Sequence, residues 1–250
     1  MRVVAHGGQH FLGLAILALS MGALAGPVTF FGEDPNANLT VPPAGASVAA
    51  KAAFQSQLNG SQASEGFEGF ALGQTAPLAV FGGTGTLTAP IAGGRIENQV
   101  TPLPGVTPGR FNTTPGGKNW WQSSTDFTLT FDHAISAFGF YGTDSSDFGG
   151  GLSLELLSGT DVLSTLIVKN PGASLGASGS LLFFGFMDTT QAYTGIRFVV
   201  QQTGTEPDVL GFDDLIAVDS PTRTVPEPST LVLAAVALAL AAKKRRGSRC

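Results

Sequence analysis

Phe127-Thr128-Leu129-Thr130-Phe131 alternates apolar and polar side chains. That is the period of two required of a half-buried strand, because successive side chains project to opposite faces of a sheet. Short apolar runs recur at Ile135 to Tyr141, Leu152 to Leu156, Val162 to Val168, Leu181 to Met187, Ile196 to Val200 and Phe212 to Val218, separated by glycine-rich turns. With no helical pattern between them, they predict antiparallel sheets packed face to face rather than a parallel α/β fold. Gly66 to Phe70, Leu78 to Phe81 and Gly85 to Thr88 offer further strands, and the prolines and glycines of Asn98 to Lys118 predict a long loop. One helix is expected from Ser47 to Leu58, with Ser47 as N-cap, alanines through the body and Asn59-Gly60 as the stop. Residues 26–46, rich in Pro and Asn, read as an irregular lead-in.

The two ends carry different signals. Met1 to Ala25 opens with Arg2, continues through an apolar core from Phe11 to Leu19, and ends on Ala23-Leu24-Ala25. This is the layout of an export signal cut after Ala25. At the other end, Val225-Pro226-Glu227-Pro228 precedes an apolar run from Leu231 to Ala242 and then Lys243, Lys244, Arg245 and Arg246. A helix over that run would cover about 18 Å at 1.5 Å per residue, short of a hydrocarbon core of about 30 Å. The expectation is a short, temporary transmembrane helix with its basic end on the cytoplasmic side.

Composition narrows the chemistry of the body, residues 26–224. It has seventeen acids against seven bases, a charge balance that repels nucleic-acid phosphates. Its single histidine is His133, and the chain's one cysteine, Cys250, lies in the tail. Thiol catalysis, a disulfide framework and a His/Cys zinc site are therefore not options for the body. The 34 glycines and 18 phenylalanines of the chain suit short strands joined by tight turns.

Three acidic clusters remain as candidate chemistry: Asp144 and Asp147 in a Gly/Ser turn, Asp213 and Asp214 inside the last apolar run, and Glu65 with Glu68 at the start of the first strand. Calcium is held by six to eight oxygens and needs neither cysteine nor histidine, so a structural Ca2+ shared between these clusters is one reading. An ordinary solvated turn is the other for Asp144 and Asp147, and a buried hydrogen-bond set is the other for Asp213 and Asp214. Strict alternation would put Asp213 and Asp214 on opposite faces, one of them facing a buried layer where a carboxylate needs partners. Trp120-Trp121 also has two readings: core and edge cover, or an aromatic platform that stacks on a sugar ring. For hydrolysis, the candidate carboxylate pairs are Asp126 with Asp132 and Glu155 with Asp161. His133 lacks the Gly-x-Ser-x-Gly elbow of a serine hydrolase and is expected in a solvated turn.

The proline-flanked glutamate, short apolar run and basic end, in that order, resemble the PEP-CTERM sorting tail of exported bacterial proteins. The resemblance implies recognition by a membrane-embedded exosortase, removal of the tail, and delivery to the cell surface or extracellular matrix. Phe54 in its alanine-rich helix, Phe67-Glu68-Gly69-Phe70, the run from Phe138 to Asp147 and Gly211-Phe212-Asp213-Asp214-Leu215 resemble the β-sandwich ectodomains that accompany such tails. Those ectodomains are similar in turn to galactose-binding-like jelly rolls and carbohydrate-binding modules, some holding a structural calcium.

These observations predict a mainly β, jelly-roll-like antiparallel sandwich with one short N-terminal helix. The organisation is 1–25 signal peptide, 26–46 lead-in, 47–219 sandwich domain, 220–224 linker and 225–250 sorting tail. The expected function is non-catalytic binding or structure outside the cell, with exopolysaccharide as the partner to test. A carboxylate-dependent glycan hydrolase and a passive matrix component are the alternatives.

Overall fold

The computed structural model describes residues 26–90, 93–98, 109–170, 179–203 and 207–219. The expected signal peptide, residues 1–25, the sorting motif Val225, Pro226, Glu227 and Pro228, and the apolar run after it lie outside the described residues. No helix among the described residues is long and apolar enough to cross a membrane.

The described chain is antiparallel throughout. Its strands are β1 (Val28–Asp34), β2 (Gln62–Glu65), β3 (Leu78–Val80), β4 (Gly85–Thr88), β5 (Gly94–Glu97), β6 (Trp120–Ser123), β7 (Phe127–Thr143), β8 (Gly151–Ser158), β9 (Asp161–Lys169), β10 (Leu181–Met187), β11 (Tyr193–Gln201) and β12 (Leu210–Asp219), with one helix, α1 (Ala46–Gln57). β7 joins two layers. Its first residues pair with β4 and β11, which lead on to β3 on one side and to β8 and β9 on the other. Its later residues pair with β10 and β12, which lead on to β1 and to β6, β5 and β2. The runs expected at Phe127 to Phe131 and Ile135 to Tyr141 are thus one strand that changes sheet.

The main core fills the space between the layers. Leu129, Leu154, Leu156, Ile196 and Phe198 face Phe138, Phe140, Phe184, Phe212 and Trp121, all buried. Phe127 and Phe198 stack at 4.3 Å between ring centroids, and Phe212 meets Phe127 edge-on at 4.9 Å. The first layer, containing β10 and β12, is covered on its other face as well. Ala137, Tyr141, Leu181, Phe183, Ile216 and Val218 form a second buried cluster with Ala50 and Phe54 of α1 and with Phe111. Burial on both faces explains why Leu181 to Met187 reads as a continuous apolar run instead of an alternating one.

Three sequence expectations change. The lead-in contains β1, which pairs residue for residue with β10 from Val28↔Met187 to Asp34↔Leu181; its irregular composition belongs only to the residues after Asp34. Helix α1 begins one residue early, at Ala46, with Gly45 in place of Ser47 at the N-cap, and its capping side chain comes from elsewhere. Asp34 accepts the amides of Ala46 at 2.8 Å and Ser47 at 3.0 Å, with the Ser47 hydroxyl turned toward the same carboxylate. The carboxylate satisfies two of the orphan N–H groups of the first turn and sits where the helix dipole is positive. Gly66 to Phe70 is a turn, and the strand lies just before it as β2.

Candidate functional site

The acidic clusters converge, but as anchors for loops. In β12 the pairing with β7 shifts between Asp213 and Ile216, and Asp214 has φ 49°, a left-handed backbone. This is a β-bulge: one extra residue on β12 turns the strand. Phe212 and Leu215 stay in the main core while Asp213 and Asp214 both serve the helix and loop side. The alternation expected of adjacent carboxylates is therefore broken by the bulge.

Asp213 is fully buried. Its Oδ2 accepts the Thr113 amide at 2.6 Å, the Thr113 hydroxyl at 3.0 Å, the Thr114 amide at 3.1 Å and Asn112 Nδ2 at 3.1 Å. Its Oδ1 accepts the Asp214 amide at 2.7 Å and the Thr114 hydroxyl at 3.3 Å. Burial pushes the carboxyl up to about 7, against the pull of these donors. Asn112 also reaches Glu68 Oε1 at 3.1 Å, and that oxygen accepts the amides of Lys118 at 2.7 Å and Asn119 at 2.9 Å. Asn119 Nδ2 then donates to the carbonyls of Phe67 and Phe70, each at 3.0 Å. Residues 112–119 are thereby tied to β12 and to the turn after β2.

The remaining acids have comparable duties. Glu65 accepts the amides of Phe67 at 2.7 Å and Phe81 at 2.9 Å, two residues with φ of 58° and 54°. A left-handed backbone is costly for a phenylalanine, and one carboxylate holds both in place. Asp214 forms an ion pair with Lys51 of α1, whose ammonium also sits 4.7 Å from the Tyr141 ring centroid. Asp144, itself at φ 66°, pairs with Arg110 at 2.8 Å. Burial and the nearby Asp147 push Asp144 up to about 7 against the Arg110 guanidinium. Asp147 is exposed.

This arrangement does not fit the shared calcium site expected for Glu65, Glu68, Asp144, Asp147, Asp213 and Asp214. Among the described residues no three of His, Cys, Asp and Glu are grouped to hold a metal. The physical reason is that acceptor oxygens of Glu65, Glu68, Asp144, Asp213 and Asp214 face N–H donors, an ammonium or a guanidinium, where a divalent cation would be repelled.

The aromatic platform is also corrected. Trp120 and Trp121 are both buried, at 1% and 0% exposure, so neither ring offers a stacking face. Trp121 lies in the main core against Phe127, and Gly94 beside its ring leaves space that a Cβ would take. Trp120 points to the opposite side, next to Gly211. Two adjacent strand residues are both buried because both faces of this layer are covered.

One carboxylate of each candidate hydrolytic pair has a protein partner. Asp126 Oδ1 accepts the Val200 amide at 2.9 Å, and Glu155 is ion-paired with Arg197. His133 is exposed within β7, not in a turn.

What lies open is the outer face of the second layer. Cross-strand pairing sets Thr88, Thr128, Arg197, Glu155 and Thr165 in one row across β4, β7, β11, β8 and β9. Five strands at about 4.8 Å spacing make that row about 19 Å long. Toward one end of the face, Ser153, Ile167, Lys169, Asn170, Val199 and Gln201 line an open groove of about 410 Å³. No single residue of this row stands out in the sequence. The available signal was the outward half of each alternating run, especially Thr-x-Thr at Thr86 to Thr88 and Thr128 to Thr130.

No curated protein matches the chain. Among solved structures it is similar to the K2 cleaved adhesin domain of Lys-gingipain, with 15% identity, a TM-score of 0.42, and 63% of this chain and 98% of that one covered. It is also similar to TmCBM61, solved in complex with β-1,4-galactotriose, with 9% identity, a TM-score of 0.26, and 54% and 88% covered. The family model for the PEP-CTERM protein-sorting motif matches residues 224–246. The chain therefore ends in a PEP-CTERM sorting tail, which implies an exported protein sorted by an exosortase to the cell surface or beyond.

Proposed function

We propose that this chain is a non-catalytic binding module of the cell surface or extracellular matrix, and that it holds extended exopolysaccharide along the outer face of its second layer. Residues 1–25 direct export and are removed. The tail from Val225 holds the chain briefly in the membrane until an exosortase cuts it. The observation that carries the reading is the row from Thr88 to Thr165, a flat strip of hydroxyls and one internally neutralised ion pair. Hydroxyls and a paired Arg–Glu can exchange hydrogen bonds with a polyol without burying an unpaired charge. The first layer has no comparable strip among the described residues, because α1 and residues 109–119 lie over it.

The test is binding of the exported protein to the exopolysaccharide of its own producer, measured by calorimetry. Replacing Thr128 and Arg197 together by Ala should weaken binding at least about tenfold, roughly 1.4 kcal/mol, with the fold unchanged by circular dichroism. Equal binding by the variant would remove this face from consideration. No binding by the native protein would leave the passive matrix role, and release of new reducing ends would point to the hydrolase.

A further inference from the structure

Two of the strands that have a single partner, β9 and β1, treat their free edges differently. Among the described residues, β9 pairs only with β8 and β1 only with β10. In β9 the register shifts twice, leaving Leu163 and Val168 without partners on β8. Such bulges twist an edge and discourage another strand from adding to it. β1 has none: its seven residues pair with β10 in unbroken register. Val28 and Phe31 on this strand are 58% and 51% exposed, and no lysine, proline or inward charge interrupts Val28 to Gly32.

We infer that β1 is a dimerisation edge, and that its occupant is β1 of a second copy of this chain, added antiparallel in a register centred on Phe31. The strand is self-complementary in that register. Phe31 meets the partner's Phe31, Phe30 lies opposite the partner's Gly32, Thr29 opposite the partner's Glu33, and Val28 opposite the partner's Asp34. An aromatic pair thus lies on the two-fold axis, a favourable cross-strand contact, and the acids of the two copies fall at opposite ends of the ribbon. With the leader removed after Ala25, as proposed above, the α-ammonium of Gly26 lies beyond Val28, at the end that meets the partner's Glu33 and Asp34. The charges at each end are then complementary. The contact is isologous and closes as a dimer without growing into a fibre. It joins the two first layers into one continuous sheet and leaves the Thr/Arg/Glu face of each copy open, so one dimer presents two binding faces and gains avidity for a polymer.

Sedimentation equilibrium of the exported protein tests this. A concentration-dependent monomer–dimer equilibrium is expected, weakened about tenfold or more by Phe31→Glu, which sets like charges directly opposite each other. Ile167→Glu on β9 should leave it unchanged. Position 31 is half-exposed, so the variant retains its fold, which circular dichroism checks. A second measurement uses Phe31→Cys in a Cys250→Ser background. Opposed residues of an antiparallel pair have Cα atoms about 4.5 to 5.5 Å apart, within disulfide range, and mild oxidation should give a covalent dimer. The dimerisation proposal is overturned by a monomer at every concentration. If the thiol introduced at position 31 then resists alkylation, another segment of the same chain covers the edge; if it reacts freely, the edge stands open. Dimerisation sensitive to Ile167→Glu and not to Phe31→Glu would overturn it in favour of β9. Loss of glycan binding with the dimer intact would remove only the binding face.

Discussion

Gly139 of β7 and Gly185 of β10 face each other across the ladder, and the Phe54 ring of α1 rests on the bare backbone between them. A Cβ on Gly185 would stand 2.9 Å from Phe54 Cδ2, and one on Gly139 would stand 2.8 Å from Phe183 Cζ and 3.0 Å from Phe54 Cε1. Both glycines are needed for close approach, and without them α1 could not seat. Gly185→Ala should lower stability by about 1 to 3 kcal/mol, the usual range for overpacking, read as a reduced urea midpoint. A second substitution, Phe54→Ala, should relieve the clash, so the double variant loses less than the sum of the two single changes.

Asp213 organises residues 112–119 through five donors from Asn112, Thr113 and Thr114. Replacing it by Ala leaves the Thr113 and Thr114 groups without their acceptor, at a cost of about 3 kcal/mol or more. Asp213→Asn should not restore the loss, because its amide nitrogen would point N–H groups at N–H groups. Thermal unfolding of both variants checks this; full stability of Asp213→Asn would contradict the assignment.

The fit of these carboxylates to protein donors also bears on calcium. The lone pairs of Asp213, Asp214 and Asp144 are directed at amides, Lys51 and Arg110, which a divalent ion would have to displace. The melting temperature in millimolar calcium should therefore match that in chelator. A ligand bound only by the folded form would raise it by mass action, and such a rise would require a different carboxylate arrangement.

Stability should fall as pH rises from about 5 to about 8. Burial and Asp147 push Asp144 up to about 7 against Arg110, from an ordinary 3.8. Between those values the folded chain keeps a proton that the unfolded chain releases, so raising pH favours unfolding until Asp144 is ionised. Asp34 and Asp188 run the other way. Burial raises each, but the hydroxyls and amides around them outweigh it and hold them low. Their contribution is complete above about 4 and is lost in stronger acid. Maximum stability is expected at mildly acidic pH, and Asp144→Asn should flatten the decline toward pH 8, measured by the unfolding midpoint across the range.

Much of the architecture was legible because strand periodicity is local. Leu152 to Leu156 and Ile196 to Val200 show their inward and outward halves in the sequence itself, as does the Phe127 to Phe131 alternation. The sorting tail was legible for the same reason, since its three parts lie next to one another along the chain. Where each carboxylate goes was not legible. Glu68 and Asn119 are 51 residues apart and Asp213 and Thr113 are 100 apart, and nothing near either acid announces such a partner. β1 was missed because its few extended residues border a Pro/Asn-rich stretch, and its partner β10 lies far along the chain.

The sequence alone thus determined the strand segments, the anionic body without thiol chemistry and the C-terminal sorting motif, since each is written in neighbouring residues. Tertiary structure decided the rest. Covering both faces of one layer buried Trp120 and Trp121 together, and the bulge at Asp214 brought two acids to the same side. Folding also spent the acidic clusters on loop anchoring and left a polar face and the regular edge of β1 exposed, because burial and hydrogen-bond satisfaction depend on what distant segments bring to each site.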